Sequence, residues 1–440
     1  MDDTEELLRI FSTPRPNGSP GARQTSLFIQ EWLHSHDIPF QVHTYTQYPY
    51  FFEANGIWMI LTRSFLALST WLNWGWWTPV FAIAGMLGGP LDSVLHLPLI
   101  TWPGKRTAEN ILIDLWLNAV EALPPLDNKA KHAAQLNEKP PATMATRLSF
   151  ANLTSANSSP ALRDIILSAH YDSKTELLDH RQRMFFLRSI PTGMLLTLLV
   201  GVAGALQAAW ASNLSWTPVW SSLVYWGGSL LSVPLAFLAL GYGLNLTLGR
   251  LVEPSPGAVD DGAACVILLR LADKLKKQSL DQRGSNSSIP SPASHITIAL
   301  FSGEEIDRQG SRAYVRARPW HGNEIVLNLE AMAQDGDYVT WQRDGSIYRL
   351  RQTDSHVEEV IRRAVKRITG KDAVSGGPVL SDAAPFIEKG LPTAVLGTYD
   401  QHWMDKGFHR PSDNLKRVVA ERIEEGTEIL IQFIREIEGK

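Results

Sequence analysis

Ile165-Ile-Leu-Ser-Ala-His-Tyr-Asp172 is an apolar run that ends in a histidine and a carboxylate. It lacks the alternation of a half-exposed strand, so it reads as a strand inside a covered sheet that delivers polar groups at its carboxyl end. Similar runs stand at Asn110–Leu115, Ile296–Phe301, Glu324–Leu329 and Thr393–Leu396, with an alternating one at Pro39–Tyr45. Helical patterns at Ala263–Lys277, Ser311–Ala317, Val357–Ile368 and Val418–Ile437 lie between several of them, and an amphipathic segment around Leu7–Phe11 and a helix over Gln24–His36 precede them all. Strands interleaved with helices predict an α/β fold, a mixed and mostly parallel sheet flanked by helices.

The chain has 440 residues and a formal charge of −4, enough for one large α/β domain with insertions. No basic block or basic-aromatic stripe is present, which argues against nucleic acid as a partner. The single cysteine, Cys265, excludes an intramolecular disulfide and a Cys-rich zinc site, and fits a reducing compartment. The acidic start MDDTEELLRIF has no basic region followed by an apolar core, so no cleavable signal peptide is expected. Polar stretches near 123–160 and 278–294 read as surface loops, and the Asn-x-Ser/Thr sites at Asn17, Asn152, Asn157 and Asn286 are discounted as chance occurrences.

Four apolar stretches break this soluble pattern: Ile57–Trp77, Pro79–Trp102, Pro191–Trp210 and Val219–Leu246. Each approaches the ~20 residues of a membrane-spanning helix. They form two pairs with short connections, and Trp74, Trp76, Trp77, Trp102, Trp210, Trp216 and Trp220 crowd their ends like an aromatic belt. Two inserted transmembrane hairpins, 57–102 and 185–250, are therefore expected within a discontinuous catalytic unit of 1–56, 103–184 and 251–440. Arg63, Asp92 and His96 interrupt the first pair, which could lie at the interface instead. Lys105, Arg106, Arg181, Arg183, Arg188 and Arg250 flank the domain side, while the distal turns carry no Lys or Arg. By the positive-inside rule, the expectation is a multi-pass protein in contact with the lipid bilayer, its catalytic unit facing the cytoplasm.

Five motifs carry the chemistry, mostly at predicted strand ends, where open α/β sheets gather their ligands. His170 with Asp172 pairs a good zinc ligand with a carboxylate able to fix its tautomer, although a structural histidine would look the same. In Pro256-Gly-Ala-Val-Asp-Asp-Gly-Ala-Ala264, Asp260 could bridge two cations, or the acid pair could simply cap the next helix. Ile298-Ala-Leu-Phe-Ser-Gly-Glu-Glu305 offers one carboxylate to hold a metal and another to take a proton. A strand end at Glu330 and a loop histidine in Phe408-His-Arg-Pro-Ser-Asp413 complete the series.

The ordered set His-x-Asp, Asp-Asp, Glu-Glu, Asn-x-Glu and His, together with Ser381-Asp-Ala-Ala-Pro-Phe-Ile-Glu-Lys-Gly-Leu-Pro392, resembles the M28 family of metallopeptidases from Arg15 through Lys416. The resemblance implies a zinc aminopeptidase-like fold with two zinc ions per chain and a peptide substrate. His170 and Glu330 would bind one ion, Glu305 and His409 the other, with Asp260 bridging, Glu304 as general base and Asp172 orienting His170. Glu330 stands where many members have Asp, Ala264 where Gly is usual, Ala383 where His is frequent and Phe408 where Tyr is frequent. Two other readings compete. One is a glutaminyl-cyclase-like acyltransferase, which in related folds uses one zinc; the other is an inactive receptor or scaffold that keeps the fold.

Overall fold

The computed structural model describes residues 3–94, 98–101, 104–115, 163–213, 218–284, 294–346 and 349–439. His96, Trp102, Trp216, the sites at Asn152, Asn157 and Asn286 and most of both polar stretches lie outside the described residues. Nine strands form one sheet: β1 (Phe40–Gln47), β2 (Arg106–Leu115), β3 (Arg163–His170), β4 (Ser294–Phe301), β5 (Glu324–Glu330), β6 (Asp337–Ser346), β7 (Arg349–Gln352), β8 (Val374–Val379) and β9 (Thr393–Tyr399). The path runs β1-β2-β4-β3-β5-β9-β6-β7, with β8 beside β6. Parallel pairing joins β4, β3, β5 and β9, and also β6 to β8, while the other four neighbour pairs are antiparallel. The expectation of a mostly parallel sheet is thus corrected: half the pairs are parallel, and they are concentrated at the centre.

The centre is parallel because β3, β4, β5 and β9 are covered on both faces, as their unbroken apolar runs require. The helices are α1 (Asp3–Phe11), α2 (Pro20–Ser35), α3 (Phe51–Trp71), α4 (Trp77–Val94), α5 (His180–Arg188), α6 (Ile190–Asn213), α7 (Pro218–Leu248), α8 (Ala263–Gly284), α9 (Gln309–Ala317), α10 (Ser355–Thr369), α11 (Ala384–Lys389), α12 (Gln401–Lys406) and α13 (Ala420–Ile437). On one face Leu7, Phe11, Val266, Ile267, Ile361 and Phe433 pack with Ile165 and Leu167. On the other, Tyr314 of α9 and Phe386 of α11 pack with Ile166, Phe301 and Val326. Alternate residues of β3 therefore feed opposite cores, as the period of a strand dictates.

The apolar helices α3, α4, α6 and α7 pack side by side away from the sheet, α3 on α7 and α4, α6 on α4 and α7. Small residues permit close approach. A Cβ on Gly56 would fall 2.7 Å from the Gly243 carbonyl, and one on Gly204 would fall 2.3 Å from the Thr78 methyl. The exposure pattern is inverted. Ser69, Thr70, Thr197, Ser229, Ser232 and Asn245 are buried, while Phe65, Trp76, Val202, Trp226, Leu230 and Phe237 face outward. Among the described residues, two helices, Ile190–Ala211 and Val219–Leu251, are long and apolar enough to cross a membrane. The first hairpin turns earlier than expected, at 72–76, because Asn73 and Gly75 take left-handed conformations that end α3. Asp92, read as an interruption, lies in the last turn of α4 and accepts from the backbone N–H groups of Leu99 (2.7 Å) and Ile100 (3.3 Å).

Arg15 ties the N-terminal loop beneath the sheet's carboxyl edge. Fully buried, it donates to the carbonyls of Tyr171 (2.6 Å), Thr13, Pro256 and Gly257 (each 2.8 Å), and also to that of Phe11. Arg15→Ala strands these acceptors without water, so stability should fall by about 3 kcal/mol or more. Urea unfolding of the purified protein measures this; a loss under about 1 kcal/mol would mean that the carbonyls find other donors.

Candidate metal centre

The parallel register brings the polar strand ends to one edge. His170 ends β3 opposite Phe301 of β4, and Glu330 ends β5 opposite Gly397 of β9. After β4 the chain turns through Gly303, whose φ of +78° a side chain would resist, and so presents Glu304 and Glu305. Asp260 comes from the buried turn that opens α8. His409 lies on the loop after α12 with φ +57°, a conformation uncommon outside glycine.

These residues converge in two groups that share one carboxylate. Donor atoms of His170, Asp260 and Glu330 lie within 4.8 Å of one another, as do those of Asp260, Glu305 and His409. His170 Nε2 is 3.4 Å from Asp260 Oδ1, and His409 Nε2 is 3.1 Å from Asp260 Oδ2 and 2.9 Å from Glu305 Oε1. Glu304 belongs to neither group; its Oε2 is 4.0 Å from His170 Nε2. His170 Nδ1 donates to the main-chain carbonyl of Asp172 at 3.2 Å, with the Asp172 carboxylate 3.6 Å away, and that carboxylate accepts from the N–H groups of Glu304 (3.3 Å) and Glu305 (3.0 Å).

The donor set fits a divalent cation such as zinc. His170 Nε2, Asp260 Oδ2 and Glu305 Oε1 are buried without a hydrogen-bond partner, a condition folded proteins rarely tolerate. All three belong to the two groups just described, and imidazole plus carboxylate is a zinc donor set. The charge balance agrees. Burial pushes the carboxyls of Glu304 and Glu330 well above their usual range, with neighbouring acids adding to the shift. Burial opposes charge on His170 too, yet Asp172 and Asp260 outweigh it and hold the imidazole well above its ordinary value. Carboxylates concentrated in a buried site raise the cost of each other's charge, and a cation among them would lower it.

A surrounding layer escaped the sequence reading. Asp261, considered only as a cap, accepts from the His170 (3.3 Å) and Ala331 (3.1 Å) N–H groups and so joins the ends of β3 and β5. Asp413 receives the N–H groups of Val259 (2.8 Å) and Asp260 (3.2 Å); burial and the nearby Asp260 push it up to about 7. Asn17, discounted as a chance glycosylation site, is buried and donates to Asp172 at 2.6 Å. Glu176 stands 3.4 Å from His409 Nδ1. Burial would raise its pKa, but Arg183, Lys174 and His409 hold it well below the carboxylate range. The motif positions of Asp261 and Asp413 gave a signal; Asn17 and Glu176 lie outside the metal-ligand motifs.

Residues 246–434 match the model of Peptidase family M28, a span that includes Asp260, Glu304, Glu305, Glu330 and His409 but not His170. Among solved structures, the chain is similar to an aminopeptidase from Aneurinibacillus sp. strain AM-1, with 13% identity and a TM-score of 0.49 over 99% of this chain and 93% of that one. A zinc aminopeptidase from Bacillus subtilis gives 12% identity and 0.49 over 99% and 95%. A glutaminyl cyclase from Macrostomum lignano gives 11% and 0.47 over 99% and 88%. Comparison with curated protein sequences gives no match.

Sharing of Asp260 makes a distinctive prediction for metal content, read by elemental analysis. Asp260→Asn should lose both ions, whereas Glu330→Gln and His409→Asn should each retain about one. Equal losses in all three variants would contradict two groups joined by one carboxylate.

Proposed function

We propose that the chain is a zinc metallopeptidase of the M28 type that hydrolyses peptide bonds at a chain terminus, in the first instance as an aminopeptidase. The observation that carries this reading is the pair of residue groups sharing Asp260, with Glu304 in neither and its Oε2 4.0 Å from His170 Nε2. His170, Asp260 and Glu330 would hold one ion, and Asp260, Glu305 and His409 the other. Bound zinc supplies Lewis acidity, which lowers the pKa of water and polarises a carbonyl. Glu304 takes the proton of the attacking water and delivers it to the nitrogen of the breaking C–N bond. Asp172 fixes the His170 tautomer and, through the N–H groups of Glu304 and Glu305, the placement of both acids. The second ligand group favours this reading over a one-zinc, glutaminyl-cyclase-like acyltransferase.

Glu304→Gln should reduce hydrolysis by about 10²–10⁴-fold while leaving zinc content unchanged. Digestion of a peptide library, with and without chelator, reads activity, metal dependence and end preference together. Full turnover in that variant would remove Glu304 from the role of base.

The same reading places the four apolar helices in a bilayer as two hairpins, 57–102 and 185–250, inserted into a peptidase unit of 1–56, 103–184 and 251–440. Support comes from the inverted exposure: apolar side chains outward, hydroxyls and Asn245 inward, small residues between helices. Both hairpins return to the sheet, so all ligands stay on one side, taken as cytoplasmic from the basic residues near the domain-side ends. Several of those residues also bind within the protein: Arg250 reaches Glu53 and the Asn17 carbonyl, and Arg106 the Gly18 carbonyl. Alkaline carbonate washing of membranes should leave the full chain in the pellet. Release into the supernatant would mean that the helices do not span.

A further inference from the structure

We infer that Glu176 is the positioning residue for His409, and that Arg183 couples this residue to the apolar helices, so that the second hairpin sets the metal affinity of the Asp260–Glu305–His409 group. The inference rests on the metallopeptidase reading above and concerns residues that neither the M28 match nor the motifs single out.

His409 presents two nitrogens to two different environments. Nε2 faces Asp260 and Glu305, at 3.1 and 2.9 Å. Nδ1 faces Glu176 Oε1 at 3.4 Å and Arg183 Nη1 at 3.1 Å. A neutral imidazole that offers Nε2 to a cation carries its proton on Nδ1. That proton can be given to a carboxylate but not to a guanidinium, so Nδ1 donates to Glu176. Arg183 Nη1 then donates to the other carboxylate oxygen, Oε2, at 3.1 Å. A ligand histidine whose second N–H meets a carboxylate is fixed in tautomer and ring orientation.

Glu176 is itself held from three sides. Lys174 Nζ is 3.0 Å from Oε1, and the Glu176 N–H donates to the His409 carbonyl at 3.1 Å. Arg410, next to the ligand, donates to the carbonyls of Glu176 (3.0 Å) and Leu177 (2.7 Å). These bonds hold the ligand loop in the left-handed turn that His409 requires.

The other side of the same strap belongs to the hairpin. The Leu178 N–H donates to Asn245 Oδ1 of α7 at 2.7 Å, and a Cβ on Gly249 would lie only 2.1 Å from the Thr175 carbonyl. Arg183 lies on α5, whose start is fixed by a capping box between Asp179 and Gln182 and whose end runs through Ser189 into α6. Its guanidinium also covers the Phe408 ring at 4.8 Å, and that ring stacks on His409 at 3.9 Å. The face of the Phe408 ring thus carries the Arg183 cation beside the ligand imidazole.

The test uses the full chain in detergent, loaded with zinc and separately with cobalt. Glu176→Gln keeps the size of the side chain but removes its charge. It should release one ion at a chelator concentration about 10- to 100-fold lower than wild type, with the second ion unchanged and the visible cobalt spectrum altered. Arg183→Met should shift the same ion in the same direction by less, and it serves alone if the Glu176 variant does not fold. Metal-free melting temperatures check that both variants are folded. Chelator curves and cobalt spectra that match wild type in a folded variant would overturn the inference and leave the metallopeptidase reading intact. A wild-type chain that binds no ion at all would overturn both.

Discussion

Asp260 stands 3.4 Å from one ligand imidazole and 3.1 Å from the other, so a single buried carboxylate is common to both ligand groups. Everything else at the sheet edge follows from keeping it there. A buried carboxylate is costly unless paired, and here several are concentrated in one place. The protein offsets the cost with fixed N–H donors: Asp413 binds the turn that carries Asp260, Asp261 binds the ends of β3 and β5, and Asp172 binds the turn after β4. Acids thus hold the backbone that positions other acids. The arrangement concentrates carboxylates around two imidazoles, a donor set suited to a divalent cation.

The same constraint explains how an insertion of α5, α6 and α7 can stand between His170 and Asp260. The strand that leaves and the segment that returns are joined directly. Ser255 N–H donates to Thr175 Oγ1 at 2.8 Å, and Arg15 bridges the Tyr171 carbonyl to those of Pro256 and Gly257. With its two ends pinned side by side, the insertion costs the catalytic edge little, because closure entropy grows only slowly with the length of the excursion. The ligands see a continuous wall although the chain between them runs far from the sheet.

Much of this was legible in the sequence where a period or a strand end gave it away. The apolar runs of β3, β4, β5 and β9 announced strands of a covered sheet, and the histidine or acids ending β3, β4 and β5 announced the edge where chemistry gathers. The strands beyond β9 were not legible: β6 ends in Arg343-Asp344-Gly345-Ser346 and β8 reads Val-Ser-Gly-Gly-Pro-Val, runs too polar or too rich in glycine to stand out. Glu176 and Asn17 were illegible for a different reason. Their roles come from contacts across 233 and 155 residues of chain, between His409 and Glu176 and between Asn17 and Asp172. No local pattern encodes such a pairing. The membrane-like helices were legible as composition, but their turn was not, since it depends on the left-handed backbone at Asn73 and Gly75.

The placement of the hairpins has a consequence for access to the metal centre. A cavity of about 260 Å³ adjoins Glu305 and Glu176, and its far wall is made by Phe52 and Glu53 at the start of α3 and Asn245 and Leu246 near the end of α7. Two of the charged pairs around it are engaged with each other, Lys174 with Glu176 and Arg250 with Glu53, and its surface is mainly apolar. If α3 and α7 lie in a bilayer, this cavity sits at the level of their domain-side ends, and a group entering it meets both the helix ends and Glu305. The helices then do more than tether a soluble peptidase. They build one wall of the space beside its ligands, and through the strap at Glu176 they hold one of those ligands in place.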